Sequence, residues 1–130
     1  MNDVKTIVRI KPLNQILQEF NSIGGALYAI KVQISSNERL GDYWIDFDEW
    51  NSDERLFIVR GWIETQQGGY ARKLMTAMTH AIQTFTRENN VRVRHIVQIA
   101  SEESRNKLTH IYREFQYEGS GIEFSRTYSP

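Results

Sequence analysis

The sequence predicts a mixed-sheet α/β (α+β) fold, in which one central sheet carries helices on both faces. Two patterns in the 130-residue chain lead to this prediction. Strands follow one another as a meander in the first half, whereas strands and helices alternate in the second half. A third observation is a glycine-bearing turn at residues 66–72, where an apolar strand stops and a helical pattern begins. The length suits one domain, which we expect to span residues 1–130.

The first three elements are predicted by the spacing of their apolar residues. Val4–Ile10 alternates apolar and polar residues, as a half-buried strand does. Apolar residues then recur every three or four positions over residues 13–23, which predicts a helix of about three turns ended by Gly24. Leu27–Ile34 alternates again, and this alternation places Tyr28 on the apolar face of a second strand.

Two further strands precede the turn at residues 66–72. Residues 43–47 resume the alternation after a polar turn, so that they form an antiparallel hairpin with the strand before them. Leu56–Val59 is apolar at every position, which indicates a central strand covered on both faces. Gly61 interrupts this strand, and a glycine within a strand often marks a bulge or the close approach of another group.

The second half of the chain alternates helices and strands. Apolar residues at helical spacing over residues 71–85 predict a long amphipathic helix, and residues 91–100 predict a strand. Ser101 and the two acids after it are typical of a helix start, and Tyr112 belongs to the apolar stripe of that helix. Residues 122–128 predict a closing strand.

Composition excludes several classes of partner and chemistry. The 16 basic and 16 acidic residues balance, so the chain has no overall charge to hold nucleic acid. There is no cysteine, and His80, His95 and His110 are too scattered to suggest a ligand cluster, so we expect no metal. The beginning of the chain lacks the apolar core of a signal peptide, and no run is long enough to span a bilayer. We therefore expect a cytoplasmic protein without a membrane partner.

The turn at residues 66–72 resembles the acetyl-CoA loop of GNAT-family N-acetyltransferases. That loop has the pattern Arg or Gln, two residues of any kind, Gly, one of any kind, then Gly or Ala, which Gln66, Gly69 and Ala71 match. A strand before the loop, a long helix after it, another strand, a second helix and a late tyrosine follow in the family's order. The resemblance covers nearly the whole chain. It implies a GNAT-like fold with a mostly antiparallel central sheet, one splayed parallel strand pair and helices on both faces.

The resemblance also implies acetyl-CoA as the acetyl donor. The loop would bind the diphosphate, largely through backbone N–H groups at the positive end of the helix. The strand before it, opened by a bulge, would pair with the pantetheine amides like an added strand. The residues assigned to acetyl-CoA in this way are Val59, Arg60, Gly61, Gln67, Gly68, Gly69, Tyr70, Ala71, Arg72 and Arg105. An ordinary strand-to-helix turn, whose glycines serve only the chain reversal, is the alternative.

Two residues are candidates for catalysis. Ile111–Tyr117 resembles the family segment that places a tyrosine near the thioester sulfur, and Tyr112 falls at that position. A phenol with a pKa of about 10 is a fair proton donor to a leaving thiolate and a poor base at neutral pH. The alternative is that Tyr112 only packs in the apolar stripe of its helix. Glu64, at the end of the fourth strand, is the candidate base, with the acids at positions 46, 48 and 49 or an ordered water as alternatives.

These features predict an N-acetyltransferase that moves an acetyl group from acetyl-CoA to a primary amine by direct attack. The expected partner is a small molecule or a peptide carrying the amine, at an N-terminus or a lysine, and a homodimer is an open alternative to the monomer. The alternative function is a catalytically inactive GNAT-fold protein that binds a CoA compound or a protein as a regulator. Trp44, Trp50 and Trp62 fit either the core or the wall of a binding site.

Overall fold

The structure is a computed structural model, and it describes residues 3–65, 69–99 and 102–130. Within these ranges the strands are β1 (Lys5–Ile10), β2 (Ala26–Ser35), β3 (Arg39–Asn51), β4 (Leu56–Thr65), β5 (Arg92–Gln98), β6 (Glu118–Ser120) and β7 (Glu123–Tyr128). The helices are α1 (Leu13–Ile23), α2 (Ala71–Asn89) and α3 (Glu102–Glu114). None of the helices in the described part of the chain is both long and apolar enough to cross a membrane.

The strands form one sheet in the order β1-β2-β3-β4-β5-β7-β6. Every neighbouring pair in this order is antiparallel except β4 and β5, which run parallel. A parallel pair needs a crossover long enough to return the chain to the same end of the sheet, and α2 supplies it. The predicted mixed sheet, mostly antiparallel with one parallel pair, is thereby confirmed.

All three helices contact side chains on the same face of the sheet. Tyr43 of β3 and Phe57 of β4 lie on this face, because Phe47 and Val59 form a cross-strand pair and each of these strands alternates its side chains. The ring of Phe20 in α1 lies 5.8 Å from that of Phe57, and the ring of Phe85 in α2 lies 6.1 Å from it. Tyr112 of α3 forms a hydrogen bond with Tyr43. The prediction of helices on both faces is therefore corrected.

No helix in the described part of the chain covers the opposite face of β3 and β4. Asp42 on this face is fully buried and lies 2.8 Å from Arg39 Nε, but most of the other side chains are exposed or half-buried, and several of them carry charges that stay in contact with water. They include Trp44, Asp46, Arg60, Trp62 and Glu64. We call this side of the sheet the open face.

Strand β2 departs from strict alternation near its start. The register between β2 and β3 slips between Ala26 and Ile30, and Ala29 is fully buried. Tyr28 has a left-handed backbone with φ of 52°, its side chain is 54% exposed, and its N–H donates to Asp46 Oδ1 over 2.8 Å. The prediction that Tyr28 faces the core is wrong, because the slip turns its side chain to the open face.

Candidate active site at the fork between β4 and β5

Strands β4 and β5 separate halfway along β4. Their parallel pairing ends at Arg60 and Ile96, although both strands continue. On its other edge β4 stays paired with β3 as far as Thr65, and β5 stays paired with β7 as far as Gln98. Among the described residues, the edge of residues 61–65 that faces β5 has no strand partner. We call the opening between the two strands beyond this point the fork.

Gly61 lies at the closed end of the fork. A Cβ at this position would lie 2.7 Å from the carbonyl oxygen of Trp44, 2.8 Å from His95 Nε2 and 2.8 Å from a ring carbon of Tyr43. Only a residue without a side chain fits such an approach. The expected bulge is not found at Gly61, because the register irregularity between the strands leaves out Asp48 of β3. Gly61 thus serves a close approach, and the fork opens where the pairing with β5 stops.

Five buried polar groups form one hydrogen-bonded chain beside Gly61. The hydroxyls of Tyr112 and Tyr43 are 2.7 Å apart, and the Tyr43 hydroxyl lies 3.4 Å from His95 Nε2. His95 Nδ1 lies 2.6 Å from the hydroxyl of Tyr117, which lies 2.8 Å from that of Tyr128. Each of these residues is at most 2% exposed. We call this set the tyrosine–histidine chain.

Burial sets the charge of the tyrosine–histidine chain. Removal from water raises the pKa of Tyr43, Tyr112 and Tyr117 above the ordinary value, and it raises the pKa of Tyr128 to about 12. The same cause lowers the pKa of His95 to about 3. All five groups are therefore uncharged at neutral pH, and His95 is a neutral imidazole that donates at one ring nitrogen and accepts at the other.

The predicted diphosphate loop is described only in its second half. Gln67 and Gly68 lie outside the described residues. Gly69 has a φ of 94°, and a Cβ there would meet nothing within 4 Å. Tyr70 precedes the first helical residue, Ala71, and the Tyr70 side chain makes no capping hydrogen bond at this end of α2. The first turn of α2 also contains no acid, so its backbone N–H groups are not matched by a carboxylate from the described part of the chain.

Arg72 ties the start of α2 to the end of α3. Its Nε and Nη2 donate to the two carboxylate oxygens of Glu114 over 2.9 and 2.7 Å. These hydrogen bonds and the guanidinium charge lower the pKa of Glu114, and both side chains are largely in solvent. The Arg72 side chain therefore already has a partner within the protein. The prediction that Arg72 contacts a diphosphate stays a prediction, and it concerns the backbone N–H of this residue.

Val59 and Arg60 are not free to pair with a ligand. They pair with β5 through His95 and Ile96. The prediction that both residues pair with pantetheine amides is corrected, because this part of the β4 edge is already occupied. The free edge begins one residue later, at Gly61.

Arg105 carries an unpartnered buried donor. The residue is half-buried, and its Nε forms no hydrogen bond with any described residue. A buried guanidinium N–H without an acceptor is costly, and a carbonyl or phosphate oxygen of a ligand would satisfy it. The open space at Gly69 and this donor at Arg105 both fit a molecule with amide carbonyls and phosphates, which acetyl-CoA is.

Glu64 lies apart from Tyr112. Its side chain is exposed and 3.9 Å from Arg39 Nη2, which is a weak contact. Glu64 alternates with Ile63 along β4, so it points to the open face, whereas Tyr112 contacts the helix-covered face. The structure joins the two predicted catalytic residues by no hydrogen bond, and the role of Glu64 stays a prediction.

Comparison with solved structures relates this architecture to acetyltransferases. A dodecameric spermidine N-acetyltransferase from Vibrio cholerae matches with a TM-score of 0.50 and 13% identity, over 89% of this chain and 71% of that one. The N-terminal domain of a ribosomal-protein-alanine acetyltransferase from Clostridium acetobutylicum matches with a TM-score of 0.48 and 15% identity, over 94% and 90% of the two chains. The chain has the GNAT acetyltransferase fold. No family model and no curated protein matches the sequence.

Within this GNAT fold, sequence reasoning found Tyr112 but missed its partners. The sequence marks His95 only as one of three scattered histidines, whereas it is a fully buried member of the tyrosine–histidine chain. Tyr43, Tyr117 and Tyr128 were assigned only to elements. A buried histidine in a strand is a weak signal, because its position along the sequence does not reveal a distant hydroxyl partner.

A second feature of this GNAT fold is an aromatic cluster on the open face. The rings of Trp44 and Trp62 lie 5.4 Å apart, and Tyr28 contacts them at 5.9 and 6.3 Å. Trp62 is 40% exposed, whereas Trp50 stacks on Phe57 at 4.1 Å. Of the two interpretations for the tryptophans, packing thus applies to Trp50 and a surface position to Trp62.

Proposed function

We propose that the protein is an N-acetyltransferase that uses acetyl-CoA to acetylate a primary amine. The observation that carries this proposal is the fork, whose closed end brings Gly61 against His95 and Tyr43, with Tyr112 one hydrogen bond away. An unpaired strand edge is a ready partner for amide groups. A hydroxyl at the end of that edge is a proton donor at the place where a bound thioester would lie.

Three parts of the chain are proposed to hold acetyl-CoA. The free edge of residues 61–65 would pair with the pantetheine amides, and the N–H groups at the start of α2, next to Gly69, would face the diphosphate. The Nε of Arg105 would donate to a carbonyl or phosphate oxygen. These contacts are made mostly by backbone groups, so they depend little on side-chain identity.

The proposed transfer is a direct attack. The amine nitrogen attacks the acetyl carbonyl carbon, a C–N bond forms, and the C–S bond breaks. The sulfur leaves with the bonding electron pair and takes a proton from Tyr112. The amine gives up one proton to Glu64 or to water, Glu64 passes that proton on to the solvent, and Tyr112 regains a proton from the solvent, so the protein ends unchanged.

Binding and turnover test this proposal separately. A ligand held only by the folded state raises stability by RT ln(1 + [L]/Kd), about 2.7 kcal/mol at a hundredfold excess over Kd. We expect acetyl-CoA to raise the melting temperature and to release heat in a titration. Thiol release should then follow on addition of an accepted amine, with spermidine, a lysine peptide and a peptide with a free N-terminus as the panel. No heat and no shift with acetyl-CoA would overturn the proposal.

A CoA-binding regulator without turnover is the second candidate. The observation that favours it is the burial of Tyr112, which is 2% exposed and bonded to Tyr43. This candidate predicts that acetyl-CoA binds while no amine of the panel releases thiol. Thiol release with any amine at a rate above the uncatalysed reaction would remove it.

A further inference from the structure

The tyrosine–histidine chain holds one more proton than its hydrogen bonds use. Four hydrogen bonds link its five groups. Four hydroxyl protons and one imidazole proton make five protons, since His95 is neutral. One proton is therefore left over. A hydroxyl can accept two hydrogen bonds, and the Tyr117 hydroxyl also lies 3.8 Å from Met78 Sδ, a weaker acceptor than the imidazole nitrogen at 2.6 Å. Where each group donates to its neighbour along the chain, the left-over proton is that of Tyr112, beside the fork, or that of Tyr128.

His95 makes both halves of the chain point in the same direction. A neutral imidazole donates at one nitrogen and accepts at the other. If Tyr117 donates to Nδ1, then Nε2 carries the proton and donates to Tyr43, whose own proton goes to Tyr112. The left-over proton is then that of Tyr112. In the reverse direction Tyr112 donates its proton to the Tyr43 hydroxyl, and that proton does not face the fork.

A cation stands at the far end of the chain. The guanidinium carbon of Arg126 lies 4.3 Å from the centre of the Tyr128 ring, and its Nη1 donates to the carbonyl of Phe115 over 2.9 Å. The charge of Arg126 would stabilise an ionised Tyr128, but burial raises the pKa of Tyr128 to about 12 and keeps its proton in place at neutral pH. A guanidinium only donates, so it attracts the Tyr128 oxygen and repels the Tyr128 proton. The Tyr128 proton is thereby directed to Tyr117.

We propose that Arg126 fixes the direction of the whole tyrosine–histidine chain, so that His95 carries its proton on Nε2 and the Tyr112 proton is free to enter the fork. Arg126 and His95 are then positioning residues that act through Tyr112. The proposal rests on the proposed function only for the recipient of that proton, the departing thiolate. The longest hydrogen bond of the chain is the 3.4 Å contact between Tyr43 and His95, which connects the half that contains Tyr128 to the half that contains Tyr112.

The tautomer of His95 tests the direction without any need for activity. Long-range proton–nitrogen NMR correlations show which imidazole nitrogen carries the proton, and His80 and His110, both on helix surfaces, give separate signals. We expect the proton on Nε2 in the parent and in Arg126→Lys, which keeps a donor-only cation. We expect Arg126→Met to move part of the population to Nδ1–H. A proton on Nδ1 in the parent, or a tautomer unaffected by Arg126→Met, would overturn the proposal.

A second variant covers the case in which Arg126→Met does not fold. Tyr128→Phe keeps the ring against Tyr117 but removes the hydroxyl that transmits the direction. We expect the same partial move to Nδ1–H in this variant. An unchanged Nε2–H population in a folded Tyr128→Phe protein would contradict a direction imposed from this end.

Kinetics show whether the direction matters for turnover. With an accepted amine at saturating acetyl-CoA, Arg126→Met should lower kcat by about tenfold and leave the KM for acetyl-CoA unchanged, with Arg126→Lys restoring kcat. Combined with Tyr112→Phe, it should cause no further loss, because both changes act on the same proton. An equal fractional loss in both backgrounds would mean a structural role and would overturn the proposal. A parent without turnover fails the proposed function, while the tautomer measurement still decides the direction.

Discussion

The two edges of β4 differ sharply although they belong to one strand. Toward β3 the pairing runs from Leu56 to Thr65, whereas toward β5 it stops at Arg60. Fraying does not explain the difference, because β5 continues to Gln98 and is held there by β7. A sheet can thus contain an opening with two firm walls, when one pairing stops while the pairings on either side continue.

The side chains at the stop explain why the walls stay apart. Below it, Val59 and its β5 partner His95 are both fully buried in a continuous core. At Gly61 the space beside the backbone is taken by the imidazole of His95 and the ring of Tyr43. Buried, hydrogen-bonded side chains therefore pack directly against the backbone of β4 where its pairing with β5 stops. The difference between the edges teaches that this opening is built by buried side chains.

The largest expected effect is on turnover, when the hydroxyl of Tyr112 beside the free edge of residues 61–65 is removed. Tyr112→Phe keeps the ring but removes the proton, so turnover should fall by roughly 100-fold to 10,000-fold while acetyl-CoA affinity holds. Turnover with one accepted amine at saturating acetyl-CoA is the measurement. Tyr28→Phe is the matched control, since this tyrosine is exposed on the open face. Equal turnover in the parent and Tyr112→Phe would remove Tyr112 from the catalytic residues.

Filling the closed end of the fork should be the next largest effect. Gly61→Ala adds a Cβ within 2.8 Å of three atoms on both sides of the opening, and overpacking of this kind costs about 1 to 3 kcal/mol. Gly25→Ala is the control, because its Cβ would meet one backbone oxygen, at 3.1 Å. Urea denaturation of both variants measures the loss. A Gly61→Ala protein no less stable than Gly25→Ala would show that the walls of the fork yield easily.

The pH dependence of stability tests the buried histidine. The folded pKa of His95, about 3, is below its ordinary value of about 6.5, so the unfolded chain binds more protons between these pH values. Stability is therefore present above about pH 6.5 and is lost as the pH falls, by about 2 kcal/mol from pH 7 to pH 5. The His95→Gln variant has no imidazole to protonate, so its free energy of unfolding should fall by about 2 kcal/mol less than that of the parent over the same pH interval. Parallel unfolding curves of parent and variant at both pH values would show that His95 titrates normally.

The smallest effect is expected for the ion pair that bridges α2 and α3 near the fork. Glu114→Gln removes the carboxylate charge that Arg72 contacts, but both side chains are largely in solvent, where ion pairs add little. The melting temperature should stay within the error of the measurement, with Arg72→Gln behaving alike. A drop of several degrees in either variant would mean that this bridge, and not the strand pairing, holds the walls of the fork.

The sequence predicted those features of the fold that depend on neighbours along the chain. Helix α1 ends where predicted, with Gly24 in a left-handed conformation at φ of 80°. Helix α2 begins where predicted, at Ala71, and continues to Asn89, before a left-handed Asn90. The face of Tyr28 was predicted wrongly, because the register slip of β2 against β3 depends on residues far along the chain. Local sequence patterns therefore predict helix ends and the period of apolar residues, whereas a departure such as the register slip of β2 depends on pairing with distant residues.

The candidate site was predicted only in part, for the same reason. Resemblance drew attention to Tyr112 and Gly61, but the chain of hydrogen bonds joins residues such as Tyr43 and Tyr112, which are 69 positions apart. The pairing of Val59 and Arg60 with β5 was not predicted, because an apolar strand shows no mark where its pairing ends. The assignment of Arg105 to acetyl-CoA gains support from its unpartnered Nε and stays a prediction.

The contact between Trp44 and Trp62 also has an optical consequence. Their rings are 5.4 Å apart with their planes at 74°, so the two indoles are close enough for their electronic transitions to couple. Such a pair produces a couplet of opposite-signed bands in the ultraviolet circular dichroism spectrum. Because the two residues face each other across β3 and β4, the couplet reports the register of this hairpin directly. Melting followed at the couplet would therefore show whether the hairpin comes apart before the helices do.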